Sequence, residues 1–289
     1  GAIWMSGGSP PATDSRFEGN TATARGGAIA TTTGAALVTL GVGFCDHAAS
    51  QGGTLHLDGG RHRLEQTWIA RTEASEAGGA VLSDAASLAM GWGSIVRSDA
   101  PRGAAVDVSG GSLDLHSSLL GFTSGGAALA VRDGALSTGG ANAWWANEGG
   151  DAGEDAETPT AEDVQQSPAL LGWTGAEACD ALDLRLQRDS PLVDRGRPDA
   201  EDPDSSRADV GAWGGPAARW TDEDGDGDAY PIDCDDTDAA IGPDCTERGA
   251  GEDTADTGTS PAPDSGEAKD RGDAVSGGCG GGTAGALGV

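Results

Sequence analysis

Lysine is nearly absent from this chain: Lys269 stands alone, and arginine supplies the rest of the 17 basic residues, set against 47 acidic ones. Aromatic residues are also scarce, with eight tryptophans, three phenylalanines and one tyrosine among 289 residues. The formal charge of −30 excludes partners that demand a basic footprint, namely nucleic-acid backbones and anionic membrane surfaces, and makes divalent cations the natural counter-ions. No run reaches the ~18 apolar residues that a bilayer-spanning helix requires. The sequence begins at Gly1 without a charged n-region or an apolar h-region. The expectation is a fragment, its export signal either removed or lying upstream.

Several kinds of chemistry lack their motifs. The five cysteines, Cys45, Cys179, Cys234, Cys245 and Cys279, form no C-x-x-C pair and no zinc spacing with histidine. Cys234 and Cys245 bracket a short acidic stretch and suit a disulfide in an oxidising compartment; two unpaired thiols are the other reading. No G-x-S-x-G elbow is present, and His47, His56, His62 and His116 belong to no nucleophile motif, so each is expected on an exposed strand or turn.

What the chain has in abundance is glycine, 50 residues of it, and glycine marks a period. A glycine-led apolar start recurs at Gly1-Ala2-Ile3, Gly27-Ala28-Ile29, Gly53-Thr54-Leu55 and Gly79-Ala80-Val81, in steps of 26 residues. It continues more closely spaced at Ala104-Ala105-Val106 and Ala127-Ala128-Leu129. A second series places a turn before Leu37, Leu64, Leu113 and Leu136. A third couples an apolar residue to a small polar one three places on: Phe17 with Asn20, Gly43 with Asp46, Ile69 with Thr72, Ile95 with Ser98, Leu120 with Thr123, Trp144 with Asn147. In the second repeat Phe44 is one place out of phase.

Three short strand-like runs per period, divided by Gly, describe a coil that turns three corners and returns above itself. Alternation puts Leu55 and Leu57, or Leu113 and Leu115, on one face and His56 or Asp114 on the other. Coils stacked ~4.8 Å apart would then align equivalent apolar residues into interior ladders. No window of ten residues keeps a 3.6-residue period, which excludes helical repeats. The expected fold is all-β: a right-handed parallel β-helix, or solenoid, with a C-terminal calcium loop and a disordered tail.

Gly26-Gly27-Ala28-Ile29 and Phe17-Glu18-Gly19-Asn20 resemble the GGAI and FxxN signatures of polymorphic outer-membrane-protein repeats and of the wider pectate-lyase-like β-helix superfamily. Asn142 to Asp151, Ser190-Pro191-Leu192-Val193-Asp194 and Asp209-Val210-Gly211-Ala212-Trp213-Gly214 look like the closing region of bacterial surface β-helices. This resemblance implies capping of the last coils, with Asp194 and Asp209 as turn and cap residues.

After Trp220 the composition turns acidic. Counting from Asp222, carboxylates fall at loop positions 1, 3 and 5 (Asp222, Asp224, Asp226), Gly227 at 6, the Asp228 carbonyl at 7, Tyr230 at 9 and Asp233 at 12. Alternate residues of a tight turn can thus aim oxygen at one hard cation, and calcium is the expected ion. Asp at position 12 shortens the reach of the final ligand, and Pro231 with no flanking helical pattern excludes a helix-loop-helix EF-hand. The stretch resembles the calcium repeats of thrombospondin type 3 and dockerin proteins, and more closely the DxDGDG…DCDD metal-binding motif of myxobacterial-type surface proteins. An acidic solvated linker is the bland reading.

The organisation expected is therefore β-helix coils over 1–150, a closing region over 151–220, the acidic calcium loop over 221–247, a disordered linker over 248–275 and, over 276–289, the start of a C-terminal sorting signal. The expected function is non-catalytic adhesion or display by a secreted or outer-membrane surface protein, with cell-surface glycans or proteins as partners. The alternative is a calcium-dependent polysaccharide lyase or glycoside hydrolase, which needs paired carboxylates or a base beside calcium on adjacent coils. Trp68 and Trp92, one coil apart, would give either a sugar-stacking platform or core or lateral packing, of which packing is preferred.

Overall fold

The computed structural model describes residues 1–133, 135–153, 156, 159–220, 225 and 238–241. Among them the one helical piece is a short turn at Cys179–Ala181, and no helix is long and apolar enough to cross a membrane. Strands stack into three parallel sheets. The first holds Ile3–Met5, Ile29–Thr31, Leu55–Asp58, Val81–Asp84, Val106–Ser109 and Leu129–Arg132. The second holds Pro11–Thr13, Val38–Leu40, Arg61–Glu65, Ser87–Gly91, Ser112–His116 and Leu136–Gly140. The third holds Arg16–Glu18, Gly43–Gln51, Trp68–Ala77, Ser94–Ala100, Leu119–Gly121 and Ala143–Trp145, with the short strand Ser124–Gly125 beside it. Each coil contributes one strand to each sheet, so a parallel β-solenoid of six coils results.

Register follows the repeat. Ile3, Ile29, Leu55, Val81, Val106 and Leu129 are successive partners in the first sheet. Leu64, Met90 and Leu115 align in the second, and Phe44, Ile69, Ile95, Leu120 and Trp144 in the third. Apart from Ile3, which is exposed at the open end of the first coil, these residues form one axial core. Burying each such side chain fully contributes about 1.5–3 kcal/mol relative to leaving it in water.

In the second coil the inward pair is Phe44 with His47, not Gly43 with Asp46, because the large ring takes the interior and leaves Asp46 to the corner. His47 thereby joins Asn20, Thr72, Ser98, Thr123 and Asn147 in a polar ladder along one corner. The Asn20 amide donates to His47 Nδ1 at 3.0 Å, and Thr123 Oγ1 donates to Asn147 Oδ1 at 2.9 Å.

The expectation of exposed histidines is overturned. His47, His56, His62 and His116 are 2%, 1%, 3% and 8% exposed. Two of them find partners for both ring nitrogens: His47 Nδ1 accepts the Asn20 amide and its Nε2 lies 3.1 Å from the Phe17 carbonyl oxygen, while His62 Nδ1 accepts the Leu37 amide at 3.0 Å and its Nε2 lies 2.6 Å from the Gly59 carbonyl oxygen. Burial holds all four below the usual histidine range. Their polar neighbours in sequence say nothing of that, since the covering atoms belong to coils about 25 residues away.

Two corners flank the third sheet, and at each the chain turns through one residue of positive φ per coil. The first column is Asp14, Gly41, Gln66, Trp92, Ser117 and Ala141; the second is Gly19, Asp46, Arg71, Arg97, Phe122 and Ala146. Left-handed backbone is disfavoured for side chains as large as Trp and Phe, so the surroundings must hold these residues in place.

Candidate functional site: a strap over the third sheet and the cleft at its edge

The surroundings are residues 159–220, which fold back over the outer face of the third sheet as a strap. That face is apolar, presenting Cys45, Ala70, Val96, Leu119 and Ala143, and it joins Val164, Leu170, Leu184, Leu186, Leu192 and Val210 in a second hydrophobic cluster. A sheet covered on both faces explains the consecutive apolar residues Phe44-Cys45, Ile69-Ala70, Ile95-Val96 and Leu119-Leu120.

The strap descends one corner column, is back beside Ser117 by Arg197, and descends the other. Descending, Trp173 packs on Phe122 with ring centroids 5.0 Å apart. The guanidinium groups of Arg97, Arg71 and Arg16 then donate in turn to the carbonyls of Gly175, Glu177 and Cys179. Cys179 forms a disulfide with Cys45, with Cα atoms 5.9 Å apart and a sequence separation of 134. On the second descent, the Gly211 amide donates to the Ser117 carbonyl at 2.9 Å and the Ala212 amide to Ser94 Oγ at 3.0 Å. Gln66 Nε2 donates to the Gly214 carbonyl at 3.0 Å, and Arg219 pairs with Asp14 at 2.6 Å. Trp68 and Trp92 are absorbed here: Trp68 packs against the second cluster beneath the Arg16 guanidinium, and Trp92 meets the His116 ring edge-on at 4.9 Å. Lateral packing is thus their role.

Where the strap, at Arg197 to Asp199, meets the outer face of the second sheet, a cleft of about 410 Å³ opens, lined by Asp114, His116, Glu162, Arg197 and Asp199 over a floor of Gly139 and Gly140. Period-two alternation turns Asp114 and His116 outward while Leu113 and Leu115 enter the core. The His116 ring lies over Gly91 of the preceding coil, where any Cβ would come within 2.3 Å of its Cε1. Burial holds His116 below its usual range against the opposing pull of Asp114, so it is neutral at pH 7, and its Nδ1 has no hydrogen-bond partner.

Arg197 grips Asp199 through two bonds of 3.0 and 2.8 Å. That hydrogen bonding raises the guanidinium further and holds the Asp199 carboxyl below the usual carboxylate range. Asp114 and Glu162 are exposed, and their carboxylates carry no hydrogen bond or ion pair among the described residues. The cleft therefore offers free acceptor oxygens, a neutral imidazole and a fixed guanidinium, a set suited to a neutral, hydroxyl-rich ligand. Sequence reasoning missed it, because Asp114 and His116 come together with Glu162 and Asp199 only through the fold of the strap.

The expected calcium ligands Asp222, Asp224, Asp226, Asp228, Tyr230 and Asp233 lie outside the described residues, as do Cys234, Cys245 and Cys279. Among the described residues, Cys45, Asp46 and Cys179 bring potential ligand atoms within 4.8 Å of one another. The two sulfurs are bonded to each other, however, and have no thiolate to offer a metal. No protein-family model matches the chain, and comparison with curated proteins and with solved structures returned no match.

Proposed function

We propose that this chain is a secreted or cell-surface β-solenoid that works without catalysis, as an adhesion or display module holding a hydroxyl-rich ligand such as a cell-surface glycan in the cleft beside the strap. The observation that carries this reading is the Cys45–Cys179 disulfide, which ties the strap across the solenoid. Structural bridges of this kind belong to oxidising compartments outside the cytosol. The acidic loop from Asp222 to Asp233 is assigned to structural calcium on its ligand spacing.

Binding is favoured over turnover because Asp114 and Glu162 are exposed, whereas a general acid working near neutral pH is ordinarily sheltered from water. The second reading, glycoside hydrolysis, draws on the same cleft, where three carboxylates gather around a neutral histidine. A glycan panel, screened with and without calcium, separates the two. Binding without new reducing ends or unsaturated products, weakened about tenfold or more by Asp114→Asn through loss of a charged hydrogen bond, supports display. Product release abolished by Glu162→Gln would establish the hydrolase instead. No binding and no turnover across the panel would remove the ligand assignment.

A further inference from the structure

The later part of the strap, residues 190–216, buries two carboxyl groups that pair with no cation among the described residues. Asp202 and Asp209 are 4% and 5% exposed. Asp202 Oδ2 accepts the Asp209 amide at 2.8 Å and its Oδ1 accepts the Gly215 amide, so both oxygens are occupied by main-chain donors. Asp209 Oδ1 accepts the Asp194 amide at 2.8 Å, while its other oxygen carries no hydrogen bond among the described residues. Asp209 also borders a small apolar cavity lined by Leu184, Leu186, Trp213 and Trp220. Together these two side chains tie three stretches of the strap, at residues 194, 209 and 215, immediately beside the bonds from Gly211, Ala212 and Gly214 to the solenoid.

The charged neighbours make matters worse for an ionised pair. Within the strap, Asp194 and Asp204 add like charge. Glu201 and Arg195 are exposed, and Arg207 Nε is engaged by the Gly196 carbonyl at 2.7 Å. On the stretch carrying Leu184 and Leu186, Arg185 pairs with Asp183, and beyond Trp213 Arg219 pairs with Asp14. The corner beneath offers Gln66, Trp92, Ser94 and Ser117, none of them charged, with the neutral His116 and the Arg197–Asp199 pair at the cleft.

We propose that residues 190–216 form a pH-sensitive latch: Asp209 in its protonated form keeps the strap locked on the third sheet, and its ionisation beside Asp202 loosens this pass and uncovers Val96, Leu119 and Trp92. Burial pushes Asp202 up to about 6 and Asp209 up to about 7, and the proximity of two carboxyls adds to the rise for the second. The last proton to leave resides on Asp209, whose second oxygen is open to carry it, whereas both oxygens of Asp202 accept main-chain amides. Because both values lie above the ordinary 3.8, the contribution to closure is complete below that value and is lost as pH rises through about 6 to 7.

Hydrogen–deuterium exchange of the whole chain at pH 5 and pH 8, with rates divided by the intrinsic rate at each pH, tests the latch. Peptides within 190–216 are expected to lose protection about tenfold or more at pH 8 while the coils do not. Asp209→Asn, which mimics the protonated side chain, should keep them protected at both pH values. Asp202→Asn removes the neighbouring charge and one of two acceptors, so it should lower protection of 190–216 at both pH values while moving the midpoint of the pH-dependent loss to lower pH. Equal protection of wild-type 190–216 at both pH values, the same loss in Asp209→Asn, or an unmoved midpoint in Asp202→Asn would each overturn the proposal. Should Asp209→Asn fail to fold, the wild-type profile and Asp202→Asn decide between latch and none.

Discussion

The coils and the strap lie against each other, yet they are held by different means. In the coils the ladder contacts are repeated: Leu55, Val81 and Val106 each have an aliphatic partner one coil up and one coil down. Stability is then close to a sum of coil-on-coil terms, and loss of one term is felt mainly locally. The strap has no repeat. It is fixed by single contacts, each made once along two corner columns and fastened by one disulfide. A surface built from stacked identical turns can thus carry a non-repeating segment, provided that one residue per coil projects sideways to receive it.

The two regions also respond to acid in opposite directions. The strap's buried aspartates are raised, so acid favours its closure. The coils' histidines are lowered, so their contribution is present above the ordinary 6.5 and is lost as pH falls below it.

Three experiments sharpen this contrast. The largest effect is expected from Leu113→Asp, which puts an unpaired carboxylate into the axial ladder and should cost about 4 kcal/mol or more, seen as loss of the β-sheet circular dichroism signal. Retention of a wild-type melting transition would refute the ladder.

Next, Cys179→Ser should cost about 2–4 kcal/mol overall, because the bridge closes a 134-residue span. Its damage should fall on the strap. Trypsin is expected to cut within 159–220 while the coils keep their circular dichroism spectrum, and equal loss in both regions would mean that strap and coils are one cooperative unit.

The smallest effect is the acid response of the coils. Lowering pH from 7 to 5 should reduce amide protection over residues 43–116 by a modest factor, as the four buried histidines begin to oppose protonation. A rise in coil protection over the same interval would show that the histidines do not govern it.

Much of the coil was legible before any coordinates. The step from Gly27 to Gly53 to Gly79 announces the period, and Leu113-Asp114-Leu115 announces an inward and an outward face. Phe44 already stood out of phase in the sequence, and the structure seats it inward with His47. The doublets Ile69-Ala70 and Ile95-Val96 were a readable sign that the third sheet is covered on both sides, since a sheet with one wet face alternates. The corner columns were not readable. Asp14, Gln66, Trp92 and Ser117 share no chemistry, and what they have in common is a backbone turn and a place beneath the strap.

By itself the sequence determined which strands pair and which faces close, because neighbouring coils repeat the same short pattern and a parallel ladder needs only that pattern in register. Only the tertiary structure decided that Cys45 would find Cys179 among five cysteines, that four histidines would be buried, and that Asp114 and His116 would meet Glu162 and Asp199. Contacts made once, between segments that share no periodicity, leave no local mark on either segment. They are selected by shape and burial after the solenoid has supplied a surface on which the strap can lie.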